Sequence, residues 1–277
     1  MAEAVHLRHQ VDTIDRERAR NLMRQIVRRA THSTVSPYRS RIEAVNNLGA
    51  YGYYLEHMNI IIGHAFAVGV TELLGLNLRI SEHLHHQSIM QKNAHARLIP
   101  HVKMRWSADQ SAILKSLWLC DQNHQSDFHR EPADRWLDHM TSKMTHPETG
   151  LFETEAMRVK SYSRQPRGCS LSYMVHYMSS FAPEVAIEQW KRFKEHMYES
   201  QLGICGFREY LLAYDGKWTP DSGPIIGGIG IAATGLGLKA AHSLERHASE
   251  LTTNEDVDLV YADMLITDQP NELYENN

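Results

Sequence analysis

Cysteine is scarce: the chain has three, Cys120, Cys169 and Cys205, and no two stand in a C-x-x-C spacing. This excludes a disulfide framework and a structural zinc site. A dinucleotide-binding fingerprint is missing as well. The glycine run from Gly228 reads G-I-G-x-x-x-x-G rather than G-x-G-x-x-G, and no strand pattern precedes it. No unbroken apolar stretch reaches the roughly 20 residues of a membrane-spanning helix. The nearest, Pro224 to Ala241, is glycine-rich and contains Lys239. The N-terminus, MAEAVHLRHQVDTIDRERAR, lacks the apolar segment of a signal peptide, so a reducing, cytoplasmic location is expected. The net charge of −4 carries no basic excess that would favour nucleic acid. There is no aspartate between Asp15 and Asp109, and no lysine or arginine after Glu250.

What is present reads as helix. The 277 residues are 42% hydrophobic and 22% charged, ordinary values for a globular chain. Asp12 to Arg29 is amphipathic and arginine-rich, with Leu22, Ile26 and Val27 on one side. Leu48 to Gly75 reads as one long apolar helix, and a second is predicted from an N-cap at Ser81. Further helices are expected after Ser107, around Pro132, from Gly168 and from Pro183. A last one is expected from Ser222 and Pro224 through the glycine run. The total is eight or nine helices with short connections, an all-α fold of antiparallel neighbours. The chain divides into an N-terminal arginine-rich helix (1–37), an all-helical domain (38–248) and an acidic tail (249–277).

Four segments in order, YYLEHMNIIIGHAF, RWSADQSAILKSL, PETGLFE with RQPRGCSLSYM, and REYL with DSGPIIGGIGIAATGLGLKAA, resemble the linalool dehydratase-isomerase-like group of (α/α)6-barrel proteins. The likeness spans roughly Tyr38 to Leu244. It implies a toroid whose inner helices point their N-terminal ends into a central cavity. It also implies acid–base side chains there, no organic cofactor or metal, and homo-oligomers. The chemistry implied is dehydration or isomerisation of an alcohol, in a class that also holds glycoside-processing barrels. Departures are visible. Trp106 and Lys115 stand where the family carries two cysteines, and the family's early aspartate–tyrosine pair has no counterpart. A complete ring takes six helix pairs. Fewer are predicted, so the ring is expected to be partial at its N-terminal side or completed by another chain. Linalool itself is not the expected substrate. A binding or scaffold module that has lost the chemistry is the competing reading.

The candidate catalytic residues are His57, Asp109 and Asp221. Asp221 and Asp109 stand at predicted helix starts, where a carboxylate either caps the helix or meets a ligand at the cavity mouth. By resemblance Asp109 faces the cavity beside Trp106 and Gln110. Two carboxylates from distant parts of the chain suit acid–base work if their environments separate their pKa values. His57 and His64 share a helix face seven residues apart, and His57 matches a cavity histidine of the family. Its near-neutral titration suits proton transfer. Tyr53 and Tyr54 are one turn away. Arg164 and Arg167 precede the Gly168 helix and can fork onto a carboxylate or phosphate. Cys169 near that helix start is expected to have a lowered pKa, with Tyr173 pointing inward beside it. Arg208, Glu209 and Tyr210 form a charged edge beside the cavity in family members. Substrate contacts are therefore expected from Tyr53, Trp106, Arg167, Cys169, Tyr173, Arg208 and Glu209. A neutral alcohol or an oligosaccharide would be the ligand, with Trp218 also suited to a ring. The run His83, His85, His86 lacks ligand spacing, so no metal is expected.

Overall fold

The computed structural model describes residues 1–10, 14–38, 42–45, 47–49, 51–99, 102, 104–156, 165–201, 203–212 and 218–251. The acidic tail beyond 251 and Arg164 therefore lie outside the described residues. Among those described the chain is mostly helical, with nine α-helices and three short antiparallel ribbons. The helices are α1 (Ala2–Gln10), α2 (Arg16–Ala30), α3 (Gly52–Ala67), α4 (Leu74–Ile89), α5 (Ser107–His124), α6 (Arg130–Lys143), α7 (Gly168–Phe181), α8 (Pro183–Met197) and α9 (Ile231–Leu251).

The helix starts and stops follow local chemistry. Asp15 caps α2 by accepting from the Arg18 N–H at 2.8 Å. Pro183 opens α8 in its first turn. The expected long helix over 48–75 is shorter, α3 covering only Gly52–Ala67. Gly69, at φ +84°, breaks it, and a side chain there would run into the Arg20 guanidinium. The next helix therefore starts at Leu74, not at Ser81. Ser81 lies inside α4, buried, and accepts a hydrogen bond from Asn59 at 2.9 Å. Ser107 is no side-chain cap either; its hydroxyl donates to the Glu153 carbonyl at 3.1 Å.

The glycine run also departs from expectation. Ile225–Ile226 (β5) and Ile229–Gly230 (β6) pair as a hairpin, and α9 starts only at Ile231. Gly227 and Gly228, both at positive φ, form the two-residue turn between them. The other ribbons pair β1 (Arg105–Trp106) with β2 (Glu155–Ala156) and β3 (Tyr198–Gln201) with β4 (Ile204–Phe207).

Packing follows chain order. α3 lies against α5, α5 against α7, and α7 against α9. α4 backs α3 and α5, and α8 backs α7 and α9. One apolar core joins α6, α7, α8 and α9, with Trp136, Phe193 and Phe207 fully buried. A second joins α3, α4 and α5 around Leu55, Ile80 and Ile113. In a third, α1 and α2 pack on the end of α3, with Val5 and Met23 against Ala65 and Val68. No described helix is long and apolar enough to cross a membrane.

Candidate active site

Four helices open onto one cavity of about 490 Å³. α3 contributes Tyr53 and His57, α5 Asp109, α7 Cys169 and Tyr173, and α9 Leu236. Trp106, Arg167 and Asp221 line it from the segments before α5, α7 and the β5–β6 hairpin. Two of these helices, α3 and α7, start on a glycine, Gly52 and Gly168, where a Cβ would collide with Leu98 and with Arg208. At Gly168 the collision is with the Arg208 carbonyl oxygen, so only glycine lets α7 begin so close to the segment that follows β4. Aromatic rings form part of the wall. Tyr53 and Trp106 lie 5.8 Å apart between centroids, and His57 and Tyr173 meet edge to face at 6.4 Å.

Arg167 organises one side. It is 6% exposed, and its Nε donates to Glu209 at 3.0 Å. Its Nη2 donates to the Thr219 hydroxyl at 2.7 Å, and its Nη1 lies 3.1 Å from the Asp221 carboxylate. Glu209, fully buried, also accepts from the Cys169 N–H at 3.1 Å and from its thiol at 3.0 Å. It thus occupies the N-terminal end of α7, where the helix dipole favours a carboxylate.

The two aspartates are driven apart. Burial, with the nearby charge of Asp221, pushes the Asp109 carboxyl up to about 7. Burial acts in the same direction on Asp221, but hydrogen bonds and charge from Thr219 and Arg167 outweigh it and hold Asp221 below the usual range. Partial burial and the Lys239 charge lower the His57 pKa, so its imidazole is neutral at pH 7. Burial raises Tyr53 and Tyr173, leaving both phenols protonated.

No family model matches the chain, and no curated protein matches it either.

Several expected placements need correction. Asp221 does not cap the last helix; it lies in the turn before the hairpin, held by Arg167. Arg208 is not among the residues that line the cavity. Its guanidinium pairs with Glu199 at 3.0 Å and packs on Gly228, securing the hairpin. Glu209 is likewise behind the wall rather than in it, and acts through Arg167 and Cys169. The Cys169 thiol has no lowered pKa: burial, then the adjacent Glu209, pushes it up. Tyr54 points away and donates to the Ala30 carbonyl of α2 at 3.0 Å. Gln110 is engaged by the Ala96 N–H and Ser88. Trp218 is 67% exposed and not part of the cavity wall.

Glu56 escaped the sequence reading. It is completely buried, neither carboxyl oxygen has a hydrogen-bond partner, and His57 Nε2 is 3.6 Å from Oε1. Burial, then the Asp109 charge, raises its pKa well above the ordinary value, so it is held as the neutral acid. A signal was available. Glu56 is the only acid in the apolar α3 sequence, and a lone acid there is either protonated or beside a polar cavity.

Among the described residues one group has metal-like spacing, Asp121, Asp127 and His129. Asp121 is already committed. It accepts from the Ser126 hydroxyl at 2.6 Å, the N–H groups of Phe128 and His129 at 2.9 and 2.8 Å, and the His129 ring at 2.6 Å. Those bonds close the loop between α5 and α6.

Proposed function

We infer that the cavity is the active site of a cofactor-independent acid–base lyase or isomerase acting on an alcohol, of the linalool dehydratase-isomerase-like kind. The observation that carries this reading is the pair Asp109 and Asp221, which face one cavity with their proton affinities pushed in opposite directions. Such a separation assigns acid and base roles to two like groups. The succession α3, α5, α7, α9 with partners behind fits part of an (α/α)6 ring, and supports the same family resemblance.

In this reading, protonated Asp109 gives its proton to the leaving hydroxyl, which departs as water with the C–O electron pair. Neutral His57 takes the proton from the adjacent carbon, and that C–H pair becomes the double bond. The product is an alkene plus water. His57 is left protonated and Asp109 ionised, and transfer of that proton between them or through solvent resets the site. Burial and then Asp221, held ionised by Arg167, raise the proton affinity of Asp109, and Asp221 stabilises positive charge that develops in the cavity.

The test is Asp109→Asn, assayed over a panel of alcohols and oligosaccharides after confirming the fold by circular dichroism. Loss of a true general acid should lower the rate by about 10²–10⁴. Activity on oligosaccharides alone would favour glycoside hydrolysis by the same carboxyl pair. Substrate binding without turnover would favour a binding module.

A further inference from the structure

Two more cavities, of about 370 and 230 Å³, lie beyond the first. His57 and Tyr173 line both the first and the second. Glu3, His64 and Lys115 line both the second and the third. Along α3 the order is Tyr53, His57, His64, so the three spaces follow one another down the helix.

The chemistry changes along that line. The second and third cavities are lined by Lys115, Lys239 and Arg246, and Glu3 is the only acid among their lining residues. Glu3 comes from α1 and shows what the space accepts. One carboxylate oxygen is 3.4 Å from both His176 Nε2 and Lys239 Nζ, and the other is 3.8 Å from Arg246 Nη2. Burial penalises this carboxylate, yet His176 and the surrounding positive charge outweigh it and leave it far below the ordinary range. Lys115 donates to the Ser180 hydroxyl, and Ser179 and Ser243 add further hydroxyls to the third cavity. His64 is 4% exposed and its Nε2 has no hydrogen-bond partner, while its Nδ1 lies 3.0 Å from His6 Nδ1. Buried polar atoms seldom go unpaired without a reason.

We propose that the second and third cavities form an anion-binding chamber that takes the carboxylate or phosphate end of an alcohol substrate, with the Glu3 carboxylate standing in for that group. His57 and Tyr173 are then the wall between the anionic end and the reacting hydroxyl. The link to the hydroxyl end rests on the acid–base reading; the chamber itself does not.

The test is isothermal titration of inorganic phosphate and of succinate into the full chain and its Glu3→Gln and Lys239→Met variants, with the histidine ring signals followed by NMR. Removing the resident negative charge in Glu3→Gln should tighten anion binding about tenfold, and Lys239→Met should weaken it by a similar factor. The His64 signals should move in the wild type and in Glu3→Gln. The tighter of the two anions identifies a phosphorylated alcohol or a hydroxy acid. Should His64 stay unmoved by both anions, or should all three proteins bind equally, the chamber is not an anion site and Glu3 merely fastens α1. Lys239 is half-exposed, so its variant keeps the test open if Glu3→Gln loosens α1. No step requires turnover, so failure here is separate from failure of Asp109→Asn to slow a reaction.

Discussion

Arg167 Nη1 holds the Asp221 carboxylate at 3.1 Å, and the two differ sharply in exposure: 8% for the arginine side chain and 60% for the aspartate. A buried guanidinium thus fixes a carboxylate that reaches into the cavity. The buried end of the same arginine is anchored by Glu209. Arg167 is satisfied on both sides, which a buried cation requires.

This pairing sets the pH dependence. Asp109 must carry its proton to act as acid, and its pKa of about 7 places the loss of activity on the alkaline side near neutrality. Asp221 is one of the groups raising it. In Asp221→Asn that charge is gone, so the Asp109 pKa falls and the alkaline limb of the rate profile moves to lower pH. A limb that stays in place, measured on the residual activity, would remove Asp109 from the acid role.

Glu56 makes the opposite kind of contribution, to stability rather than rate. Its folded pKa is raised, so the folded chain keeps a proton that the unfolded chain has released above the ordinary carboxylate range. Stability therefore falls as pH rises from that range toward the folded pKa. Asp109 acts in the same sense up to about pH 7. Glu56→Gln removes one titration, so its stability should fall less steeply between pH 4 and pH 7 and exceed the wild type at neutrality. Urea unfolding at several pH values checks this.

The helices were legible where a single chemical cue decided them. Pro183 and Gly168 mark helix starts in the sequence and in the structure. The cavity residues Tyr53, His57, Trp106, Asp109, Arg167, Cys169, Tyr173 and Asp221 were named from resemblance and position at helix starts, and the structure brings all eight to one cavity. The rest depended on three-dimensional facts. The hairpin at Gly227 and Gly228 does have a local signal, two glycines between isoleucines, but the apolar run around it imitates a helix. Glu3 and Lys239 are far apart in sequence, and only the tertiary fold, with α1 seated on α2 and α3, brings their side chains within 3.4 Å. The pKa of Cys169 turned on burial and then on Glu209, a neighbour supplied by the segment after β4.

The glycines of α9 separate packing from propensity. A Cβ at Gly237 would lie 2.6 Å from the Phe207 ring, in a core stacked with Phe193. At Gly235 it would meet nothing within 4 Å. Gly235→Ala should therefore stabilise by up to about 1 kcal/mol through helix propensity. Gly237→Ala should destabilise by about 1–3 kcal/mol through overpacking. Thermal or urea unfolding reads both. Equal effects at the two positions would mean that α9 does not pack this way.

The thiols test the electrostatics of the site without any substrate. A cysteine at a helix N-terminus ordinarily has a stabilised thiolate. Cys169 is at that position but is buried, and its sulfur donates to Glu209 at 3.0 Å. A second negative charge beside that carboxylate is disfavoured, so the thiol stays protonated. Cys205 is exposed and Cys120 is buried. Iodoacetamide at neutral pH should therefore modify Cys205 first, leaving Cys169 intact until the protein unfolds, as peptide mass mapping would show. A serine hydroxyl can make the same bond to Glu209, so Cys169→Ser should retain activity within about tenfold, whereas loss of a covalent nucleophile is far more damaging. Labelling of Cys169 as fast as Cys205, together with inactivity of the serine variant, would reverse the assignment and make the sulfur a reacting group.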